Sequence, residues 1–465
     1  MNARQADGDR PVISRYLAAA LLLVILLTVT CMAMLQQVRY AGLGRLIRIH
    51  GSSMAPSLLG EHLKMPCEDC TFPIRMAIDL LSEPEFLTCP NCGYEKNASE
   101  AAVRQPGERV LIDRWSGMIS GIDRWQLVAF QKTVGSSAGA RHKQLTVKRV
   151  IGLPGEEVSL QDGEIYIDGI MVPKSMQQFR EMAVPLFDTY YRPRQTPGLG
   201  ERFQSAEKTS RWQRLGTGYQ FDGTDEKKPA DDSPGDLDHL VYQHWACMAE
   251  AVPTRDRTAV SAIYDHYTYN HGQSRGPLVQ VHDLLFQGKL TIQNKGLLVV
   301  SLFSRGDVFE VALDTRRRRY ELRRNSRSLV QGRFHHNLDR RSHELEFAVV
   351  DRQVILAVNG KTWCRQSFTL RNEKSALPPT RLNPEHPLAI AARGLSLQVQ
   401  RVRLSRDLHW IGPGHRPGPW KWHRFLKPGE FFVVGDNVPI SDDSRYEQLG
   451  ISNRAIIGKI LRFEH

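Results

Sequence analysis

Long apolar runs are scarce in this chain of 465 residues: a single one is long enough to cross a bilayer, and its overall hydrophobic content of 41% is ordinary. A protein that crosses a membrane many times is thereby excluded. The sequence also lacks an HExxH motif, a P-loop and a GxGxxG turn after a strand, which removes zincins, P-loop NTPases and dinucleotide enzymes as readings. No Ser-His-Asp constellation suggests itself, and His50 beside Ser53 does not build one, because triads form in space rather than along a chain. No nucleic-acid motif accompanies the net charge of +12. The basic run Arg316 to Arg319 therefore reads as a solvated turn between strands, and nucleic acid is not an expected partner. Cysteine is sparse, at seven residues.

The one apolar run is Tyr16 to Leu35, twenty residues without a charge. At about 1.5 Å per residue it spans about 30 Å, the hydrocarbon thickness. A cleaved signal peptide would have an apolar region of about 7–15 residues before small residues at the cut. Here the run ends in Met34-Leu35-Gln36-Gln37, so an uncleaved single-pass anchor is expected. Arg4, Arg10 and Arg15 precede it, and Arg39, Arg45 and Arg48 follow it. Counting positive charges therefore gives no orientation.

Beyond the run, the pattern is mainly β. A helix-like or irregular segment leads to His50. Val110 to Asp113, Leu127 to Phe130, Leu145 to Ile151 and Glu164 to Asp168 read as strands bounded by turns. Residues 177–240 are polar and rich in Gly, Pro, Asp and Arg, which reads as loop or linker. Leu297 to Phe303, Val308 to Leu313, Leu345 to Val350, Val354 to Val358, Leu388 to Ala391 and Leu395 to Leu404 are short and several alternate, with a hairpin turn at Asn359-Gly360. Strands at this spacing predict an antiparallel sandwich, and their spacing resembles concanavalin A-like or laminin-G-like modules. Glu430 to Val434 and Ile456 to Arg462 close the chain and are expected to pair with the early strands.

Gly51 to Leu58 reads GSSMAPSL and lies just after the apolar run. A serine there needs a base to become a nucleophile. Lysine can serve if its amine is neutral, which requires burial to lower a pKa of about 10.4 by several units. Lys148 lies in LTVKRVIGLPG, sharing a strand face with Val150, while Val147 and Arg149 take the other. By pattern alone it reads sooner as a lysine on an exposed edge strand.

Four boxes occur in order: SMAPSL (Ser53 to Leu58), GERVLIDR (Gly107 to Arg114), KRVIGLPGE (Lys148 to Glu156) and GDNVPISDDSR (Gly435 to Arg445). They resemble the boxes of type I signal peptidases, membrane-bound Ser/Lys proteases that remove signal peptides. The resemblance implies an all-β catalytic core behind one transmembrane helix. It implies Ser53 as nucleophile and Lys148 as general base, with no catalytic cofactor. Ser441 would orient the amine, Asp443 and Arg445 would form a supporting ion pair, and Gly435, Asp436 and Asn437 would shape the adjoining loop. The backbone N–H of Ser53 would serve the oxyanion hole. Some members add a serine hydroxyl two residues earlier, where this chain has Gly51, and Ser52 is read as a bystander. Substrate would add as a strand along Leu145, Thr146 and Val147, with alanine-sized residues before the cut and Met54 near the bilayer surface. The implied partners are preprotein signal peptides, the lipid bilayer and the protein-export machinery. The implied location is the inner (cytoplasmic) membrane, with the catalytic mass extracytoplasmic.

Cys67-Glu-Asp-Cys70 and Cys89-Pro-Asn-Cys92-Gly93 are separated by 18 residues, the spacing of a four-thiolate structural zinc site. Disulfides are the rival, since an extracytoplasmic site permits them. His266, His271 and His282 with Asp265 and Asp283 read by default as loop residues. The resulting division is a tail and anchor (1–40), catalytic segments at 41–60, 103–176 and 411–465, a zinc-ribbon-like insertion (61–102), a polar irregular insertion (177–276) and a sandwich-like insertion (277–410). An inactive peptidase-like protein displaying a sugar- or protein-binding sandwich is the main alternative. A self-cleaving regulator with Ser/Lys chemistry is a third.

Overall fold

The structure is a computed structural model, and it describes residues 19–33, 44–79, 85–115, 121–135, 141–194, 201–207, 209–223, 237–247, 259–271, 276–334, 338, 340–371, 381–415 and 418–463. Within the apolar run, residues 19–33 form an exposed helix, while 16–18 and 34–35 lie outside the described residues. Among the described residues no helix is long and apolar enough to cross a membrane.

Early and late chain segments build one antiparallel sheet of seven strands. Its order is Gly44–Arg48, Arg109–Asp113, Ile456–Arg462, Leu127–Gly135, Arg141–Gly152, Glu430–Val434 and Ile451–Ser452. The last long strand, Ile456–Arg462, sits between two early ones, pairing Ile460 with Ile112 and Lys459 with Val128. Strands from 44–152 and from 430–462 therefore share one sheet, and the residues from 153 to 429 are carried between them. Residues before His50 form a strand at Gly44–Arg48, not a helix or irregular segment. Its apolar content is low, and pairing with Arg109–Asp113 decides it. A four-stranded sheet of Ile170–Met171, Glu164–Ile167, Val158–Gln161 and Trp420–Lys421 packs beside the main one.

The insertion is a two-sheet sandwich. One sheet centres on Leu284–Ile292, Ser342–Val350, Gln353–Val358 and Ser396–Arg406, the other on Leu297–Ser304, Asp307–Asp314, Arg319–Arg324 and Leu388–Arg393. Phe286, Phe347 and Leu356 of the first sheet share a buried core with Val300, Val311 and Ile390 of the second. Asn359 and Gly360 both take positive φ, 49° and 78°, between the paired residues Val358 and Lys361. This is the two-residue hairpin that Asn-Gly favours. Arg316 and Arg317 lie exposed between two strands of the second sheet.

The described residues of 177–240 are not a structureless linker. They hold the helix Met176–Met182, closed by a Ser175/Gln178 capping box, and the strands Val184–Asp188, Phe203–Ser205, Trp212–Leu215, Gly218–Asp222 and Asp238–Tyr242. These strands extend both sandwich sheets. They have three to five residues and bury a few aromatics such as Phe203, Trp212 and Tyr242. Such strands are too short for alternation to announce them, and pairing with the longer strands supplies their stability.

A buried polar cluster joins the sandwich to the four-stranded sheet. Lys174 donates to Asp351 at 2.6 Å and contacts Asp407 at 2.8 Å, while Arg305 reaches Glu164 at 2.7 Å. Burial, followed by the nearby Asp283 and Asp351 charges, pushes the Glu164 carboxyl up.

Candidate active site

Lys148 lies where the strand Arg141–Gly152 passes between Leu127–Gly135 and Glu430–Val434. It is 3% exposed. Its amine donates to the Ser441 hydroxyl at 2.7 Å. Burial is the main influence on its pKa, opposed by the Asp443 carboxylate and assisted by Arg445 and Lys132, and brings it down to about 8. An amine so placed is neutral in a useful fraction of molecules near neutral pH, as a base must be.

Ser53 lies half-buried in the turn before Leu58. Its carbonyl accepts from the Asn437 N–H at 3.1 Å. A Cβ on Gly435 would stand 2.1 Å from the Ser441 Oγ and 2.5 Å from the Ser53 carbonyl oxygen. Only glycine permits that approach, and it brings the serine turn and the lysine's partner together. Among the described residues the Ser53 hydroxyl makes no hydrogen bond, and Ser441 is the hydrogen-bond partner found for the Lys148 amine. Contacts between a nucleophile and its base commonly tighten only when substrate is seated.

The closing loop is fixed by buried ionic pairs. Asp443 caps the short helix Ser444–Glu447 and holds Arg445 at 2.8 Å, both fully buried. The Asp443 side chain also accepts from the Gly435 N–H at 3.0 Å. Its carboxyl is held below the usual range, because the Arg445 charge and hydrogen bonds overcome a burial effect that would raise it. Arg445 further donates to the carbonyls of Ile411 and Val438. Asp436 receives two hydrogen bonds from Arg149, at 2.8 and 2.6 Å. Arg149 also donates to the Trp125 carbonyl and to the Ser57 hydroxyl. Sequence reasoning left Arg149 without a role, although its place beside Lys148 in the third box was a signal.

Met54 is 2% exposed and packs in a core cluster with Val147, Leu58 and Ile112, partly buried Leu145 lying against it. The side chain thus packs on the apolar wall of the lysine strand. Leu145 and Thr146 are half-buried. On one edge the strand pairs with Leu127–Gly135 throughout. On the other, Glu430–Val434 pairs only with residues from Arg149 to Gly152. Among the described residues no strand covers that edge at Leu145, Thr146 and Val147, so main-chain groups are open there for an added strand.

Ser52 is buried and bound to Asp79. Its N–H and its hydroxyl both donate to the Asp79 carboxylate at 3.0 Å.

The four cysteines Cys67, Cys70, Cys89 and Cys92 converge, all buried, with their sulfurs within 4.8 Å of one another. Cys67 and Cys92 are 3.7 Å apart, Cys70 and Cys89 3.6 Å. A disulfide requires about 2.05 Å. Four sulfurs at about 2.3 Å from a tetrahedral zinc stand about 3.8 Å apart. Both halves share one backbone design. Thr71 N–H bonds to the Cys67 carbonyl and Gly93 N–H to the Cys89 carbonyl, each at 2.8 Å. Thr71 and Gly93 take the left-handed conformation, with φ of 64° and 72°. The donor set and spacing fit zinc. The histidines His266, His271 and His282 form no metal-sized group among the described residues.

Residues 93–230 match the protein family described as "Signal peptidase, peptidase S26". The matched stretch contains Lys148, whereas Ser53 and the loop from Gly435 to Arg445 lie outside it. A probable signal peptidase I-2 of Synechocystis sp. is 30% identical over 82 residues, 18% of this chain and 37% of that protein. Signal peptidase I V of Bacillus subtilis is 37% identical over 68 residues, 15% of this chain and 36% of that protein. The chain thus spans little more than a third of these relatives. Among solved structures, a carbohydrate binding module, CBM66 from Bacillus subtilis, aligns over 44% of this chain and 95% of that one. Its TM-score is 0.26 at 7% identity, and a likeness that slight carries no argument about this chain.

Proposed function

We propose that this chain is a membrane-anchored serine endopeptidase of the signal peptidase I type, cleaving signal peptides from exported preproteins after small residues. The observation that carries the reading is the buried Lys148 amine, 2.7 Å from Ser441, beside a glycine that touches both Ser441 and the Ser53 carbonyl. The matches to signal peptidases around Lys148 support it. In this reading a preprotein segment pairs along Leu145, Thr146 and Val147, and its carbonyl carbon meets the Ser53 Oγ. The neutral Lys148 amine takes the hydroxyl proton as the O–C bond forms. The carbonyl oxygen becomes an oxyanion facing the Ser53 N–H. As the C–N bond breaks, the lysine ammonium returns the proton to the leaving amine. Water then repeats the sequence on the ester, releasing the new carboxylate. Ser441 holds the amine in place, and the Asp443–Arg445 pair holds the loop that carries Ser441. The apolar run is the anchor, and the catalytic mass lies on the extracytoplasmic side.

This mechanism fixes the sign of the pH dependence. The base works only without its proton, so kcat should rise with pH and level off above about 8, the Lys148 value. At pH 6 the rate should be lower than at the plateau by about 10²-fold, one factor of ten per unit. Single-turnover cleavage of a preprotein in detergent, measured from pH 6 to 10, reads the curve. A flat profile over that range would exclude a lysine base.

A structural zinc in the four-cysteine site is part of the same proposal. It would fold the insertion and take no part in bond breaking, since four thiolates leave no open position. Purified protein should carry about one zinc per chain, and its four thiols should resist alkylation until a chelator is added. Thiols blocked until a reductant is added, without zinc, would identify disulfides instead.

A further inference from the structure

We propose that the serine turn is braced by the two insertions, through Asp79 and Asn270, which act as positioning residues for Ser53. The inference rests on the Ser/Lys reading of the site and goes beyond it. It assigns a catalytic support role to segments whose sequence shows none.

Asn270 ends a single 3-10 turn, Thr268–Asn270, in the large insertion, and His271 after it takes φ of 50°. Its side-chain amide pairs head to tail with that of Asn437: each Nδ2 donates to the other's Oδ1 at 2.7 Å. Both residues are 1% exposed. The second hydrogen of the Asn437 Nδ2 goes to the Ser52 carbonyl at 3.0 Å, and the Asn437 N–H goes to the Ser53 carbonyl. Asn270 therefore fixes the rotamer of the side chain that holds the Ser52 carbonyl, in the residue whose backbone holds Ser53. Asp79, at the far end of the cysteine insertion's strand Pro73–Ala77, takes the Ser52 N–H and hydroxyl from the opposite side. Tyr269 fills the space between, packed on Ala55 and Ala77.

The physical need is specific. Gly51 supplies no side-chain donor for an oxyanion, so stabilisation falls on the Ser53 N–H. A backbone donor is effective only if its direction is fixed before the reaction. Within the turn the Ala55 N–H bonds to the Ser52 carbonyl, while the Ser53 carbonyl and the Ser52 N–H are held from outside it. Carbonyls of Ser52 and Ser53 tied to Asn437, and the Ser52 N–H tied to Asp79, determine the planes of the peptides on both sides of the nucleophile's N–H.

The test compares wild type, Asn270→Leu, Asn270→Ser and Asp79→Ala in preprotein cleavage, with hydrogen exchange of the peptide covering residues 51–58. Misplacing reacting groups by about 1 Å costs about 10²-fold, so kcat should fall by about 10- to 10²-fold in Asn270→Leu, with KM within about twofold. The milder Asn270→Ser, which keeps one hydrogen-bonding group, should recover part of the rate. Exchange at 51–58 should quicken in each variant while that of the sandwich strand Ser342–Val350 stays unchanged. Unchanged kcat and exchange in Asn270→Leu and Asp79→Ala, with Ser53→Ala inactive, overturn the brace and leave the Ser/Lys reading standing. Equal loss of protection across the sandwich overturns it too, because the role is then merely structural. A wild type that cleaves nothing overturns both.

Discussion

Lys148→Met and Ser53→Ala are each expected to lower the rate of preprotein cleavage by at least about 10⁴-fold, while the protein stays folded. Loss of one member of a nucleophile–base pair typically removes nearly the whole covalent route. The lysine variant carries a second signature that no bystander residue would share. The Lys148 pKa in the folded chain is about 8, against 10.5 for an unburied lysine. A lowered amine pKa means that folding opposes the charged form. The penalty is fully present below pH 8, shrinks between 8 and 10.5, and vanishes above. Removing the amine should therefore add stability at pH 6–7 relative to pH 10.5, by about 3 kcal/mol at 1.4 kcal/mol per unit. The lost hydrogen bond to Ser441, worth about 1–3 kcal/mol where a partner is left unsatisfied, sets the offset of the curve but not its slope. Cleavage assays and urea unfolding at pH 6, 8 and 10.5 measure both effects. A Lys148→Met variant that still cleaves, or whose stability difference from wild type is independent of pH, would refute a buried neutral lysine.

The legible parts of the site were those whose chemistry is local in sequence. Lys148 was legible through its box, KRVIGLPGE, and not through its apolar neighbours, which also suit an exposed edge strand, whereas two CxxC pairs announce convergence of four sulfurs. The sandwich was legible because its central strands are long enough to alternate and carry an Asn-Gly turn. What escaped was decided by distant pairing. The strands from Val184 to Tyr242 are short, and they gain order only against Ser396–Arg406 and Leu388–Arg393. Gly44–Arg48 has two apolar residues, and its partner lies beyond the cysteine insertion. Arg149, Asp79 and Asn270 escaped for a related reason. Each is an ordinary polar residue by pattern, and its function lies in a partner across the fold: Arg149 reaches Asp436, Asp79 reaches Ser52, and Asn270 reaches Asn437.

The pair formed by Arg149 and Asp436 should show how much the closing loop depends on such partners. Their side chains are 1% and 0% exposed, and they meet at 2.6 Å. Asp436→Ala would leave a guanidinium buried without its counter-charge, which costs about 3–5 kcal/mol. Cleavage should fall with it, because Asp436 lies between Gly435 and Asn437 and its loss frees the loop that seats Ser53. The double variant Arg149→Met/Asp436→Leu removes both charges and should recover most of the stability, since an apolar pair of similar volume can replace a buried ion pair at little cost. It should not recover activity to the same degree, because the Trp125 carbonyl and the Ser57 hydroxyl lose the Arg149 donor. By contrast, Glu447→Ala breaks the half-exposed pair with Lys132, at 30% and 26% exposure, and should cost less than about 1 kcal/mol. Urea unfolding midpoints for the three variants order these effects. An Asp436→Ala variant no less stable than Glu447→Ala would mean that the arginine finds water or another acceptor, and that the loop is held by Asp443 and Arg445 alone.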